Sequence, residues 1–253
     1  MSTTTASSLL AYHGDPSIRQ KYIDRARAHR EADEIVQSYG YWDGGKGCAI
    51  GCLAHVASNA HFKLERDAGL PERLSHLADA IFEGLPIDEA KAWPERYAAA
   101  AMPGADLTLV WHQFSAWLLT DSGLLTIVDD NREAIKIVAA LHRRAATGEQ
   151  MPAIDWSEAR LAAWSAAWSA WSAAESAAES AAELAAWSAA WSAARLAAWS
   201  AAELAAELAA ESAESAAESA ESAAESAAES AYRKMADKLV ELMAAAPYTG
   251  NDA

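Results

Sequence analysis

The segment from Trp156 to Ala231, called the repeat below, constrains the fold of this chain more than any other feature. It consists almost wholly of Ala, Ser, Trp, Glu and Leu in units such as Trp-Ser-Ala-Ala, and it contains no Gly, Pro or Cys. Ala is the strongest helix former, and Leu and Glu follow closely. Because no helix breaker lies within residues 154–246, the sequence predicts a single helix of about 90 residues, on the order of 135 Å long. A hairpin would need a turn that no Gly or Pro marks.

Trp residues are concentrated in the repeat, which holds seven of the 11 in the chain. A helical wheel places Trp164, Trp168 and Trp171 on one face, and indole rings are costly to leave exposed over a contiguous patch. We therefore expect these three residues to contact another protein or a second copy of the chain. The alternative is that the repeat is a spacer of variable length in which no single residue matters.

The spacing of the large residues argues against a long regular coiled coil. From Trp171 to Glu211 one large residue falls at every fourth position, and each step overshoots a helical turn by about 40°, so the stripe winds around the helix. From Glu211 to Glu229 the spacing mixes threes and fours, which keeps the Glu residues on one straight acidic face.

An ordinary amphipathic pattern follows the repeat. Tyr232, Met235, Leu239 and Leu242 recur at spacings of three and four, which predicts an apolar helix face. We expect this face to help pair two copies of the long helix. Pro247 and Gly250 should end the helix and leave residues 247–253 as a tail.

The first 150 residues predict a compact domain of five to seven helices, preceded by a disordered tail over residues 1–14. The fold class is therefore all-α: a helical domain at 15–150, then the long helix at 154–246. The first helix should run from Pro16 to about Tyr39, with Gly40 as its stop. Pro94 should interrupt a later helix. Further helix starts are expected at Cys48, Glu72, Asp106 and Asp129.

Charge and composition limit the partners. The net charge is −16, of which −5 belongs to residues 1–153 and −11 to residues 154–253. Nucleic-acid binding through a basic patch is therefore not expected. The N-terminal residues lack the pattern of a signal peptide, and no run is apolar enough for a membrane span. Two Cys in a chain of this size indicate a reducing cytoplasm.

One constellation could carry chemistry. On a helix, Cys48, Cys52 and His55 share one side, and His61 follows shortly after. Thiolates and imidazoles are good ligands for zinc, so these four residues form a candidate metal site, with zinc as the cofactor. The competing interpretation is a close-packed core helix, because Cys is among the most buried residue types.

A second interpretation makes Cys48 a nucleophile at a helix N-terminus, where the helix dipole lowers the pKa of a thiol. His55 or His61 would act as the base, and Asn59 or Asp43 would orient it. The Gly44-Gly45-Lys46-Gly47 loop is not a phosphate-binding loop, because no Ser or Thr follows the Lys and no strand precedes it. Neither pattern assigns a catalytic residue.

Three segments resemble a group of uncharacterised bacterial and bacteriophage proteins. They are Gly40–Cys52 (GYWDGGKGCAIGC), Ile81–Pro86 (IFEGLP) and Asp88–Arg96 (DEAKAWPER). Members are similar in having a helical N-terminal part, an Ala-rich repeat and a closing segment like Met235–Leu242. The resemblance implies a phage or prophage-bearing bacterial origin and carries over no activity or catalytic residue.

These observations favour a non-enzymatic structural or interaction protein. The repeat helix would be a spacer or self-association arm, and the partner would be another copy or another protein. The alternative is a metal- or thiol-dependent domain that uses Cys48, Cys52 and His55. A weaker alternative is binding of the Trp-rich half to a membrane surface, which the acidic charge opposes.

Overall fold

The structure is a computed structural model that describes residues 10–123, 129–158 and 226–248. This part of the chain is all-α, as predicted. It contains no strand, and extended segments meet at isolated bridges such as Ile35 with Gly47. The helices are α1 (Pro16–Glu31), α2 (Ala49–Ala54), α3 (Ala60–Ala68), α4 (Glu72–Gly84), α5 (Ile87–Ala100), α6 (Val110–Thr120) and α7 (Asp129–Ala145). Residues 153–158 and 226–244 are also helical.

The chain divides into two compact units. The first contains Met1–Leu125, Ala139–Met151 and Ala228–Ala253, and the second contains Thr126–Val138 and Pro152–Ala227. The C-terminal residues therefore belong to the same unit as the N-terminal helices, although the sequence placed them at the far end of a separate helix. Most of the predicted long helix lies outside the described residues, as do Trp164, Trp168 and Trp171.

The predicted disordered tail is wrong for residues 10–14. A 3-10 turn spans Ala11–Gly14, and both Ala11 and Tyr12 are fully buried. The hydroxyl of Tyr12 donates a 2.5 Å hydrogen bond to the carbonyl of Ala98 in α5. The sequence did not predict this contact of Tyr12. The first ten residues are rich in Ser and Thr, and a single buried Tyr produces no periodic apolar pattern.

The first helix is shorter than predicted. Asp15 caps α1 by accepting a hydrogen bond from the backbone N–H of Ser17 at 2.7 Å, which confirms the predicted start. The helix ends at Glu31, and the next residues turn through Asp33, whose φ is +56°. The chain then runs extended, with Val36 donating to the carbonyl of Gly47 at 3.0 Å. Helix propensity over residues 32–39 is therefore overridden by pairing with the later loop.

The centre of the first unit is built around α4 and α5. The indole N–H of Trp93 donates to the carbonyl of Ala78 at 2.8 Å, and Trp93 and Tyr97 are almost fully buried. Pro94 lies inside α5 and does not end it, contrary to the prediction. A proline removes one backbone hydrogen bond, and burial of the neighbouring rings outweighs that loss here.

The C-terminal helix (residues 226–244) completes this core. Its inner face contributes Ala236, Leu239 and Met243, all 0% exposed. Beyond the helix, the carbonyl of Pro247 accepts a hydrogen bond from the N–H of Asp106 at 2.8 Å. None of the helices in the described ranges is long and apolar enough to cross a bilayer.

Candidate functional site

The loop over residues 40–48 leads into α2 and is organised by Asp43. Its Oδ1 accepts hydrogen bonds from the backbone N–H groups of Gly45 and Lys46, each at 2.8 Å. Its Oδ2 accepts one from the Tyr39 hydroxyl at 2.6 Å. The Tyr39 bond and then the two backbone bonds favour the charged carboxylate and lower the pKa of Asp43 to about 2. The loop N–H groups thus bond to a carboxylate of their own loop.

Two glycines let this loop lie directly against α2. A Cβ at Gly51 would lie 2.6 Å from the backbone N of Trp42, and one at Gly47 would lie 3.1 Å from the Trp42 Cα. The backbone N–H of Trp42 also donates to the carbonyl of Val56 at 3.2 Å. The glycines in this motif therefore serve backbone packing, which fixes the side chains of Tyr41 and Trp42 over the histidines that follow.

Both thiols are buried inside this arrangement. Cys48 caps α2, and its Sγ accepts a hydrogen bond from the N–H of Gly51 at 3.3 Å. The Sγ of Cys52 donates to the carbonyl of Gly47 at 3.4 Å. Burial raises the pKa of each thiol to about 12; the Asp79 carboxylate adds to the shift for Cys48, and the Cys48 thiol adds to it for Cys52. Both sulfurs are therefore protonated at neutral pH and poorly suited to nucleophilic attack.

His29 and His55 meet on one side of the loop. Nδ1 of His29 lies 2.6 Å from a carboxylate oxygen of Glu34, and its Nε2 hydrogen-bonds Nε2 of His55. The His55 ring stacks on Trp42, with centroids 5.0 Å apart and planes 10° apart. Desolvation of the ring lowers the pKa of His55 to about 4, and Arg25 and His29 add to the effect. A neutral His55 can donate its Nε2–H to Nε2 of His29, while the Nδ1–H of His29 donates to the Glu34 carboxylate.

His61 lies in a second cluster with Tyr41 and Asp79. The ring is 5% exposed, and its Nδ1 is 3.0 Å from the Tyr41 hydroxyl. Its Nε2 lies 3.3 Å from Oδ2 of Asp79, close enough for an ion pair but misaligned for a hydrogen bond. The ring of His76 stacks on the ring of His61, with centroids 3.7 Å apart. This cluster orients a buried histidine between a phenol and a carboxylate.

The four predicted metal ligands do not form one group. Cys48 and His61 both lie beside Asp79, whereas Cys52 bonds to backbone carbonyls and His55 meets His29. Among the described residues no group of three or more His, Cys, Asp or Glu side chains is arranged to hold a metal ion. The helical spacing that suggested the site is broken at His55, whose φ of +53° ends α2.

The residues assigned to pairing of copies have contacts within their own chain. Leu239 lies in the core, while Tyr232, Met235 and Leu242 are partly buried against it. The ring of Tyr232 fills the space beside Gly84 at the end of α4. On the outer side, Arg233 pairs with Glu89 at 2.6 Å, and Arg96 pairs with Asp237. The apolar face of the C-terminal helix therefore docks on α4 and α5 of the same unit.

Sequence reasoning missed Glu34, Asp79 and Gly84, which complete these arrangements. Asp79 and Gly84 are 18 and 148 positions from their partners His61 and Tyr232, so no local spacing links them, whereas Glu34 lies five positions after His29, just beyond the end of α1. It also missed α3, the helix that carries His61. The sequence did contain one signal for α3, a glycine at position 69, and Gly69 ends this helix with φ +62°, as is usual for a helix C-terminus.

No protein-family model matches this chain, and neither the curated proteins nor the solved structures contain a match to it.

Proposed function

We propose that this chain is a non-enzymatic structural or interaction protein. The helical unit is its folded base, and the repeat is the arm that contacts another protein or a second copy. We also propose a cytoplasmic location, which rests on the low cysteine content of the chain, two residues in 253.

The observation that carries this proposal is the docking of the C-terminal helix. Ala228–Ala253 belong to the compact unit that also holds Ala139–Met151, so the repeat is joined to one unit at both its ends. The attachment is well built, with Leu239 and Met243 fully buried and Arg233 paired to Glu89. Because the C-terminal helix is anchored in the core, the repeat before it is attached to the folded unit at both ends. This arrangement suits a protein that uses the repeat to contact a partner.

The thiol chemistry of the rival hypothesis has less support. A nucleophilic Cys48 would need a lowered pKa, whereas burial and Asp79 raise the pKa of its thiol to about 12. A base would have to reach Cys48, but His55 bonds to His29 and His61 bonds to Tyr41. The interaction hypothesis requires none of these groups to react.

Sedimentation equilibrium of the full chain tests the proposal over a wide concentration range. We expect the native chain to self-associate and a Trp164→Ser, Trp168→Ser, Trp171→Ser variant to remain monomeric. A matched control replaces Ser165, Ser169 and Ser172 with Ala. Truncation to residues 1–153 is unsuitable, because it would remove Leu239 and Met243 from the core. A native chain that stays monomeric throughout would reject self-association.

A further inference from the structure

Two histidine rings meet beside Trp42 at the end of α2. His29, on α1, is 5% exposed, whereas His55 is solvent-exposed. Their Nε2 atoms face each other in a hydrogen bond. The indole of Trp42 contacts both rings, with its centroid 4.5 Å from that of His29 and 5.0 Å from that of His55. Two imidazole nitrogens are therefore directed to one point, next to a residue that solvent reaches.

The buried histidine of this pair is held by a carboxylate. Nδ1 of His29 lies 2.6 Å from Oε2 of Glu34, so Nδ1 carries the proton and Nε2 is the nitrogen with a free lone pair. A histidine that binds a metal usually donates its other ring N–H to a carboxylate or a carbonyl, which fixes the ring and makes it a stronger ligand. The contact between Glu34 and His29 is of this kind.

The position of the second ring depends on an uncommon backbone conformation. His55 has a φ of +53°, and its N–H donates to the carbonyl of Gly51 at 2.9 Å, so it ends α2. Positive φ is unfavourable for residues other than glycine. A glycine at this position would end the helix without strain but would leave His29 without its partner ring. We therefore connect the strained conformation with the ring of His55.

The charges near His55 decide which kind of ion this pair favours. Arg25 and Lys63 lie close enough to disfavour added positive charge on the ring, whereas Glu34 favours it. Ions that bind through oxygen ligands and negative charge, such as Ca²⁺ and Mg²⁺, are therefore not expected here. Copper, nickel and zinc ions bind strongly to the nitrogen of neutral imidazole, which matches the two groups that the pair offers.

We propose that His29 and His55 bind one divalent transition-metal ion of the copper, nickel and zinc class through their Nε2 atoms. Two nitrogens at about 2.0–2.1 Å from one ion lie roughly 3 Å or more apart, so the exposed His55 ring moves outward from its present contact. Its proton shifts from Nε2 to Nδ1, which frees the second Nε2 lone pair without releasing a proton.

The proposed site has two protein ligands. Among the described residues no third His, Cys, Asp or Glu side chain is arranged to join them, so water completes the coordination. The site shares only His55 with the metal site expected from the sequence, and it uses neither thiol. It also does not depend on the proposed role of the repeat.

Equilibrium dialysis of the full chain against Cu²⁺ measures the affinity, with glycine as a weak competitor that suppresses binding to isolated surface groups. We expect the native chain to bind one Cu²⁺, and His55→Gln to weaken this binding at least about tenfold. His142→Gln is the matched control and should leave the affinity unchanged. It breaks the other histidine pair, in which Nδ1 of His142 lies 3.1 Å from Nδ1 of His112.

The role of the carboxylate is tested in the same experiment. Glu34→Ala should weaken Cu²⁺ binding by about 10–100-fold, because His29 loses the group that orients it. Glu31→Ala, which removes an exposed carboxylate at the end of α1, is the control and should have no effect. Equal affinities in Glu34→Ala and Glu31→Ala would contradict the proposed support of His29 by Glu34.

Pulsed electron paramagnetic resonance of the native Cu²⁺ complex needs no variant. It counts the bound imidazoles through the ring nitrogen that does not bind the metal. We expect two imidazoles in the native chain and one in His55→Gln. A native complex with one imidazole or none would overturn the proposal. So would an unchanged affinity in His55→Gln, or an equal loss of affinity in His142→Gln.

Discussion

The ring of Tyr232 occupies the space that a side chain at Gly84 would need. A Cβ built on Gly84 would lie 2.1 Å from Cε2 of Tyr232 and 2.3 Å from its Cζ. Gly84 ends α4, and Tyr232 lies on the C-terminal helix, 148 positions later in the sequence. The absence of a side chain at Gly84 in α4 thus leaves room for the aromatic ring of Tyr232 in the C-terminal helix.

Gly84→Ala should weaken the docking of the C-terminal helix. The added methyl forces the Tyr232 ring to move, and overpacking of this kind costs roughly 1–3 kcal/mol, partly offset by the better helix propensity of Ala. Urea unfolding should show a lower midpoint. Gly40→Ala is the matched control, because Gly40 has no neighbour within 4 Å of an added Cβ and its φ is not positive.

The interaction itself can be isolated with a double-mutant cycle. Tyr232→Ala removes the ring, so Gly84→Ala should cost much less in that background than in the native chain. Equal costs in the two backgrounds would show that the contact between Gly84 and Tyr232 does not limit stability.

Leu239→Ala should destabilise the first unit by about 3 kcal/mol, because a fully buried leucine is removed and a cavity remains. The native chain and the variant are compared by urea denaturation followed by circular dichroism. Glu241→Ala, an exposed position on the same helix, should change the free energy of unfolding little. If the two substitutions had the same small effect, the C-terminal helix would not be part of the core.

The sequence predicted the helical class and several helix starts because these depend on local rules. Asp15 and Pro16 start α1, and the apolar spacing of Leu74 and Phe82 marks the inner face of α4. The spacing of Leu239 also predicted an apolar helix face correctly. It could not tell which surface that face covers, because a helix that pairs with another copy and one that docks on its own chain show the same pattern.

The histidine arrangements could not be predicted for a related reason. The backbone of His55 leaves the helical region, so its ring turns from Cys52 toward His29, 26 residues earlier. Positive φ at a histidine is uncommon and depends on the surrounding packing. Likewise, Asp79 reaches His61 only because α3 and α4 pack together. These contacts arise from tertiary structure, which spacing rules do not describe.

Both thiols should resist modification in the folded protein. Cys48 and Cys52 are at most 3% exposed, and burial raises the pKa of each to about 12, so almost no thiolate is available at neutral or mildly alkaline pH. Ellman's reagent should react slowly with the native chain and should react with both thiols of each chain once urea has unfolded it. Fast reaction of either cysteine before unfolding would revive the nucleophile hypothesis.

Stability should fall as the pH is lowered toward 4, with His142 as one contributor. Burial, together with His112 and Arg73, lowers the pKa of His142 from 6.5 to about 4 in the folded chain. Between these values the unfolded chain binds a proton that the folded chain does not, so the stability from neutral His142 is fully present above pH 6.5 and is lost as the pH falls to about 4.

This contribution can be measured by urea unfolding at a series of pH values. His142→Asn removes the titrating ring, so it should flatten the dependence of the unfolding free energy on pH between 6.5 and 4, whatever its effect on stability at neutral pH. The control is His13→Asn, which replaces an exposed histidine on the 3-10 turn. An unchanged slope in His142→Asn would mean that this ring is protonated as readily in the folded chain as in the unfolded one.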